Sequence, residues 1–446
     1  MKQHLHSRLG SDQRGVATLV VVMILFFIIS LVAAYTNRNL IFEQRTSANQ
    51  YRSTQALEAA EAGVEWALAM LNHQRITASC LTSAAAGDAS YRQRYIVPDP
   101  LTGNLTPKTK AAGGELSQIC VLNGAQWDCS CPEDADPVVA APAGGGVYPA
   151  FRVRFEQIGA LPPVGPPSQP GVIRLRVVGC TRLDNTCLDF DGQGVTNEGR
   201  AAVSLLVALT GNLAAPPAAA LLARGNIDFG GAAASVYNTD PAGSGVTAHA
   251  WGTIASAPPL VLHSVPGTPG DQSVVENDLA LTLAAAPPFS TEDRMFASVF
   301  NMTPATFKDQ PAAVLLACAG AGCWVGADEL RTAITMNPGR PIWVQGDLKV
   351  DTAGPIGAAL APVLLVVEGD LTFPTAAPIY GLVYVRKANW VTSGVVDSQV
   401  QGAAVAEGSV SGNSTTTFVR DADVLARLRG SSGSFVRVPG SWKDFK

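Results

Sequence analysis

The chain has 446 residues, of which 47% are hydrophobic and 15% charged, and its net charge is −5. This length and apolar content predict two or three domains with large cores and exclude an intrinsically disordered chain. The acidic balance gives no support to a general nucleic-acid-binding function.

The first fifteen residues form a short basic leader that ends at Gly15. An apolar stretch with no charged residue follows directly, from Val16 to Thr36. A helix of this length, at about 1.5 Å per residue, crosses the roughly 30 Å hydrocarbon core of a bilayer. We predict a membrane span over residues 16–36, because the apolar core of a cleavable secretory signal would be shorter.

The helical pattern continues beyond the predicted membrane span. Between Val16 and Asn72 there is no proline and one glycine, Gly63, and apolar residues recur at roughly helical intervals. We predict one continuous helix over residues 16–72, about 85 Å long, with its second half outside the membrane. A membrane span followed by a separate helix is the alternative.

Three features of this region together resemble the type IV prepilins. They are the basic leader ending in glycine, the apolar segment directly after it, and the continuation "ALEAAEAGVEWAL" at residues 56–68. Residues 14–70 are similar to the PilX subfamily of minor pilins. The resemblance implies that a prepilin peptidase cuts between Gly15 and Val16, that Val16 is N-methylated, and that the helix contacts other minor pilins and the major pilin.

The chain departs from the major pilins at Val20, where the family pattern has a glutamate at the fifth position after the cut. That carboxylate is interpreted as the partner of the N-terminal ammonium of a neighbouring subunit inside an apolar filament core, where an unpaired charge is costly. A subunit without the glutamate suffers no such cost at the tip, where no subunit lies above it. The absence also resembles GspK, the large tip pseudopilin of type II secretion, and an ordinary apolar anchor residue is the simplest alternative.

Residues 73–212 are predicted to form a pilin-type β head that packs on the outer half of the helix. The stretches at residues 151–158, 171–178 and 201–209 alternate apolar with polar or small residues, a pattern typical of strands with one buried face. We predict an antiparallel sheet from these strands. Its solvent-facing side would carry four arginines, namely Arg152, Arg154, Arg174 and Arg176.

The eight cysteines all follow the apolar segment, which predicts disulfides in an oxidising compartment. The short separations of Cys180 from Cys187 and of Cys318 from Cys323 predict two of the bridges. The pairing of the other four is left open by the sequence: Cys80, Cys120, Cys129 and Cys131.

No metal or cofactor is predicted. Cys129 and Cys131 are separated by one residue, whereas zinc ligands are usually separated by two or more. The acidic stretch "DFDGQG" at residues 189–194 has Arg200 where an EF-hand loop needs its twelfth-position glutamate. Calcium held by separate loops is an alternative that the sequence does not support.

Residues 213–446 carry an imperfect repeat with the pattern of a parallel β-solenoid. Short apolar strands meet glycine-rich corners, and the central positions 346, 369, 387 and 408 recur at a period near twenty. A related segment, "ARGNIDF", begins at residue 223. We predict a β-solenoid-like domain, with an irregular β-sandwich as the alternative.

Two further features belong to this domain. A helical insertion stapled by Cys318 and Cys323 is predicted at about residues 288–337, because the sequence there has helix-start signals. The terminal aromatic residues Trp442 and Phe445 are expected to cap the edge of the solenoid.

No catalytic motif is present, and His73, His249 and His263 are widely separated in the sequence, so we predict that the protein is not an enzyme. We predict an α+β fold and a minor pilin of the type IV pilus, held in the inner membrane by one span before it reaches the pilus tip. It would join a tip or priming complex that initiates pilus assembly. An adhesin at the tip is a further candidate partner. The alternatives are a GspK-like pseudopilin and a membrane-anchored periplasmic binding or adhesion protein.

Overall fold

The structure is a computed structural model that describes residues 14–85, 87–99, 102–144, 147–158, 170–192, 198–231, 234–255, 260–281, 293–318, 322–386, 389–392, 398–412 and 415–444, with the side chains of 14–16 outside the description. The α-helices are α1 (Arg14–Leu71), α2 (Tyr91–Tyr95), α3 (Arg294–Phe300), α4 (Pro304–Lys308), α5 (Ala327–Met336) and α6 (Ala422–Ser431).

The strands of the first half are β1 (Ile96–Pro98), β2 (Leu105–Pro107), β3 (Ser117–Asn123), β4 (Gln126–Ser130), β5 (Ala150–Glu156), β6 (Val172–Cys180), β7 (Arg200–Gly211), β8 (Leu221–Ala223), β9 (Ile227–Asp228), β10 (Ser235–Tyr237), β11 (Ala248–Ala250), β12 (Val261–His263) and β13 (Val274–Val275). Those of the second half are β14 (Val314–Ala317), β15 (Trp324–Gly326), β16 (Ile342–Gln345), β17 (Asp347–Lys349), β18 (Val363–Val367), β19 (Leu371–Phe373), β20 (Pro378–Val385), β21 (Trp390–Thr392), β22 (Gln399–Ala406), β23 (Val410–Gly412), β24 (Thr417–Arg420) and β25 (Gly433–Arg437).

Helix α1 is continuous over 58 residues, because no proline interrupts its backbone hydrogen bonds. Residues 17–54 are exposed, and the inward face of the helix becomes buried from Ala56 onward. That face is built largely of small residues, including Ala56, Ala60 and Ala67, each of which is fully buried. Small side chains let the helix lie close to the sheet that covers it.

The head is an antiparallel sheet with the strand order β25-β7-β6-β5-β3-β4. Helix α1 packs across one face of it, and alternate residues such as Phe151, Val153 and Val177 point into the shared core. The predicted fold class is confirmed in this half of the chain, since the period-two pattern placed the apolar residues on the helix side.

The opposite face of the head sheet is less exposed than predicted. A loop that carries Leu188 and Phe190 folds over it and buries both side chains. The guanidinium of Arg154 lies 4.3 Å from the centre of the Phe190 ring, a cation–π contact. The prediction of a solvated arginine face was therefore wrong, because the loop tied by Cys180 and Cys187 covers it.

The second half is a parallel β-solenoid, as predicted. Its larger sheet follows the order β12-β10-β24-β22-β20-β18-β16-β14, and its smaller sheet follows the order β15-β17-β19-β21-β23-β9. Apolar residues stack from coil to coil, so that Val344 pairs with Val367 and Val367 with Val385. These columns fill the core between the two sheets.

The coils are not stacked in chain order. The first coil, β8 and β9, pairs with β22 and β23, which come last in the repeat. The chain then extends the stack outward through β10 to β13 before β14 and β15 begin the other end. The segment "ARGNIDF" is therefore a neighbour of the 399–412 coil, although about 180 residues separate them.

The predicted helical insertion contains α3, α4 and α5, but it is not a single helical lobe. Strands β14 and β15 interrupt it and form a coil of the solenoid, whose corner is closed by the Cys318–Cys323 bridge. Residues 288–292 of the predicted insertion lie outside the described residues. Helices α3 and α4 cover the outer face of the larger sheet, where Phe296 packs edge-on to Tyr384.

The end of the chain returns to the head instead of capping the solenoid. Strand β25 pairs with β7, and Trp442 packs against the head core under the guanidinium of Arg437, 4.9 Å from its ring. The expectation for Trp442 was wrong because β7 offers an unpaired strand edge next to the point where the solenoid ends. Phe445 lies outside the described residues.

Candidate assembly surface

Most of the large apolar side chains that are exposed among the described residues lie in the exposed half of α1. Side chains from Leu19 to Tyr35 are almost all apolar and more than half exposed, with Phe26 at 72% and Phe27 at 68%. Leaving such a surface in water costs about 25 cal/mol for each Å² of apolar area. It therefore needs lipid or another protein around it, and the helix is long and apolar enough to cross a membrane.

The predicted processing junction lies in the first turn of α1. The backbone is helical at both Gly15 and Val16. Val20 lies about one turn further on and is 47% exposed among other apolar residues. Cleavage after Gly15 and methylation of Val16 remain predictions.

Two threonines in the exposed half of α1 bond their hydroxyls within the helix. The hydroxyl of Thr36 donates to the carbonyl of Val32 at 3.0 Å, and that of Thr46 donates to the carbonyl of Phe42 at 2.9 Å. Hydroxyls bonded in this way need no water. Thr36, at the end of the predicted span, can therefore lie in lipid or against protein.

The contact between α1 and the sheet depends on glycine at its closest points. A Cβ on Gly179 of β6 would lie 2.3 Å from the carbonyl oxygen of Ala56 and 2.4 Å from the backbone nitrogen of Ala60. A Cβ on Gly63 would lie 2.7 Å from Val177. Helix and strand backbones thus nearly touch, which fixes the direction in which the exposed half of α1 leaves the head.

Residues 14–65 match the family model for the PilX N-terminal domain. This part of the chain is a PilX N-terminal domain. The matched residues comprise the whole exposed half of α1 and the first turns that dock on the head sheet. Among proteins of curated function, none matches the chain.

Two solved structures are similar to parts of the chain. The crystal structure of the competence-associated pilin ComZ from Thermus thermophilus has 13% identity and a TM-score of 0.23, over 88% of this chain and 97% of that one. The DUF3494 domain of an ice-binding protein from Shewanella frigidimarina has 11% identity and a TM-score of 0.22, over 47% of this chain and 98% of that one.

Three disulfides lie in the head and a fourth lies in the solenoid. The structure pairs Cys180 with Cys187 and Cys318 with Cys323, and it joins the remaining four cysteines as Cys80–Cys131 and Cys120–Cys129. The Cys120–Cys129 pair had a signal in the sequence, since its two members are equidistant from a hairpin turn at residues 124–125. The Cys80–Cys131 pair had none, because it joins loops that approach only in the fold.

The covered face of the head sheet holds a compact set of charges around Glu156. This carboxylate lies within 3.2 Å of Arg176 and also accepts hydrogen bonds from Arg154, and Asp191 approaches the same two arginines at about 4 Å. Burial alone would raise the pKa of Glu156, but the hydrogen bond and charge of Arg154, helped by Arg176, hold that pKa below its ordinary value. The acidic stretch near residue 190 is thus part of an ion-pair network, and no group of metal ligands occurs among the described residues.

Proposed function

We propose that the chain is a minor pilin of the type IV pilus. In this proposal a prepilin peptidase cuts between Gly15 and Val16, Val16 is N-methylated, and α1 then packs with other minor pilins and the major pilin. The observation that carries the proposal is the exposed apolar half of α1 inside a PilX N-terminal domain. The same surface faces lipid in the inner membrane before assembly and neighbouring helices after it, a function that needs no catalytic group.

We further propose that the subunit sits in the tip or priming complex that initiates the pilus. Two features support this position. Val20 cannot neutralise the N-terminus of a subunit above it, so the chain is best placed where there is none. The solenoid also makes the part outside the membrane far wider than the helix that would pack in a shaft. A position at the end of the pilus is therefore sterically favoured, and an adhesin could be carried there.

Mass spectrometry of the mature N-terminus tests the processing step. The expected product begins with N-methylated Val16. Replacing Gly15 with leucine should leave the leader in place, whereas Gly10→Leu, five residues earlier in the same leader, should be cut normally. An intact leader in the wild-type protein, or cleavage near Ala34, would overturn the proposal and favour a membrane-anchored binding protein.

Deletion of the gene tests pilus use against type II secretion. The expected result is loss of surface pili, with the other minor pilins recovered on affinity-tagged protein. A defect confined to protein export would instead support a GspK-like pseudopilin.

A further inference from the structure

A cavity of about 530 Å³ lies between the head and the solenoid. Ile96, Leu105 and Leu209 line it on the head side, and the end of α5 with the loop at residues 355–363 lines it on the solenoid side. Its volume is within the range of small-molecule sites, and such sites are common at the junctions of domains.

The polar part of the cavity wall is cationic. Four arginines reach it, namely Arg75, Arg92, Arg331 and Arg340. None of the described residues that line the cavity is an aspartate or glutamate. Arg331 is neutralised by Asp328 at 2.8 Å. The pairing of Arg331 with Asp328 leaves the other arginines of the wall, so the cavity keeps a positive charge.

Arg92 and Arg340 have neutral partners only. Arg92 donates to the backbone carbonyls of Leu71, Gly339 and Gly433 at 2.9 to 3.2 Å. Arg340 donates to the carbonyl of Ala312 and to the side-chain oxygen of Asn337. Throughout the described ranges, no carboxylate lies within ion-pair distance of either guanidinium.

These two charges oppose each other in a place of low solvent access. Burial, with the nearby charge of Arg340, lowers the pKa of Arg92 to about 9. Burial likewise lowers the pKa of Arg340 to about 10. Both remain protonated at neutral pH. The backbone carbonyls that accept from the two guanidiniums offset part of the repulsion, but only a full negative charge would balance it.

Apart from the arginines and a few neutral polar residues such as Gln93 and Thr335, the wall is apolar and extends to the cavity mouth. Leu360 stands at the mouth with 80% of its surface exposed, and Ile96 and Leu105 are buried at the base. An apolar body lying between these side chains would gain by leaving water. The chemistry of the wall thus calls for a ligand with one charged end and one apolar end.

We propose that this cavity binds a small organic carboxylate, with its charge on Arg340 and Arg92 and its apolar body against Leu105 and Leu360. The proposal is independent of pilus assembly, because none of these residues belongs to the exposed half of α1.

The test uses the full chain in lipid nanodiscs and isothermal titration calorimetry, with empty nanodiscs as the blank. The probes are 4-phenylbutyrate, its neutral amide and inorganic phosphate. The carboxylate should bind at least about tenfold more tightly than the amide, which lacks the charge, and than phosphate, which lacks the apolar body. Equal affinity for carboxylate and amide, equal affinity for phosphate, or no saturable carboxylate binding at millimolar concentrations would each overturn the proposal.

Two variants locate the site. Arg340→Gln should weaken 4-phenylbutyrate by about tenfold, while Arg182→Gln, an exposed arginine far from the cavity, should leave its affinity unchanged. Leu360→Ser should weaken 4-phenylbutyrate without changing the affinity for phosphate. Unchanged carboxylate binding by Arg340→Gln would contradict the assignment, and if that variant does not fold, the comparison of carboxylate with amide on the wild-type chain still decides.

Discussion

Gly211 and Gly433 lie directly opposite each other in the head sheet, one at the end of β7 and the other at the start of β25. The chain therefore leaves the head for the solenoid and re-enters it at a single point. The solenoid is an insertion into the head, whose last strand is contributed by the end of the chain.

This relationship predicts that the head can fold without its solenoid. Replacing residues 212–432 with Asn-Gly should join β7 to β25 as an ordinary two-residue hairpin. The shortened chain should stay in the membrane and resist proteolysis, because Asn72 still exchanges two hydrogen bonds with Phe435. Pulse proteolysis measures this, with a matched deletion of 212–446 as the control, and rapid degradation of both would show that the solenoid is required.

A second prediction concerns the corner of the solenoid, where side chains bond to the next coil. The carboxylate of Asp347 accepts from the backbone N–H of Asp370, and Asp370 accepts from that of Asn389, both at 2.9 Å. Asp370→Ala should reduce the free energy of unfolding by about 1 kcal/mol. Asp370→Asn keeps an acceptor and should cost less. Urea denaturation distinguishes them, and equal losses would mean that the ladder does not stabilise the coil.

The sequence predicted the elements of the fold because each has a strong local period. The long helix and the strands of the head follow directly from the spacing of their apolar residues. The solenoid corners are also visible, since Asp347, Asp370 and Ser409 each follow a glycine. The third corner was misplaced by one residue, because the pairing of Leu371 with Trp390 gives a spacing of 19 residues where the predicted repeat has 18.

Relationships between distant segments were beyond the sequence. The pairing of β25 with β7 depends on backbone hydrogen bonds at a free strand edge, and no side-chain pattern encodes them. The pairing of the first coil with the last also depends on backbone hydrogen bonds between strand edges, so the sequence did not predict it either. The cavity arginines gave no signal either, because Arg92 and Arg340 meet only when the head and solenoid are in contact.

A third prediction tests the close contact between helix and sheet. Gly179→Ala would place a methyl group against two backbone atoms of α1, neither of which can move without displacing the helix. We expect a loss of about 1–3 kcal/mol in unfolding free energy. Gly87→Ala is the control, since its Cβ would meet nothing within 4 Å. A thermal melt that is equal for both variants would contradict the close packing of α1.

A fourth prediction follows from the lowered pKa of Glu156. A carboxyl group whose pKa is lower in the folded state stabilises the fold above its unfolded pKa, about 4.3, and this contribution is lost as the pH falls through the folded value. Glu156→Gln should therefore destabilise the head at pH 7, and this effect should be smaller at pH 3, which lies below the unfolded pKa. Urea titrations at both pH values measure the difference, with the exposed Glu58→Gln as the control. A penalty that does not change with pH would show that the charge of Glu156 is not what matters.

The last prediction concerns the position of the subunit in the filament. If the missing glutamate keeps the chain at the tip, Val20→Glu should supply the carboxylate that partners a neighbouring N-terminus in the apolar core. Immunogold labelling should then find this variant along pilus shafts, whereas the wild-type protein is found at the ends. Val21→Glu is the matched control: it adds the same charge one residue further along, about 100° around the helix, and should not enter shafts. Wild-type protein already distributed along the shafts would refute the terminal position, because Val20 would then be no barrier to a subunit above.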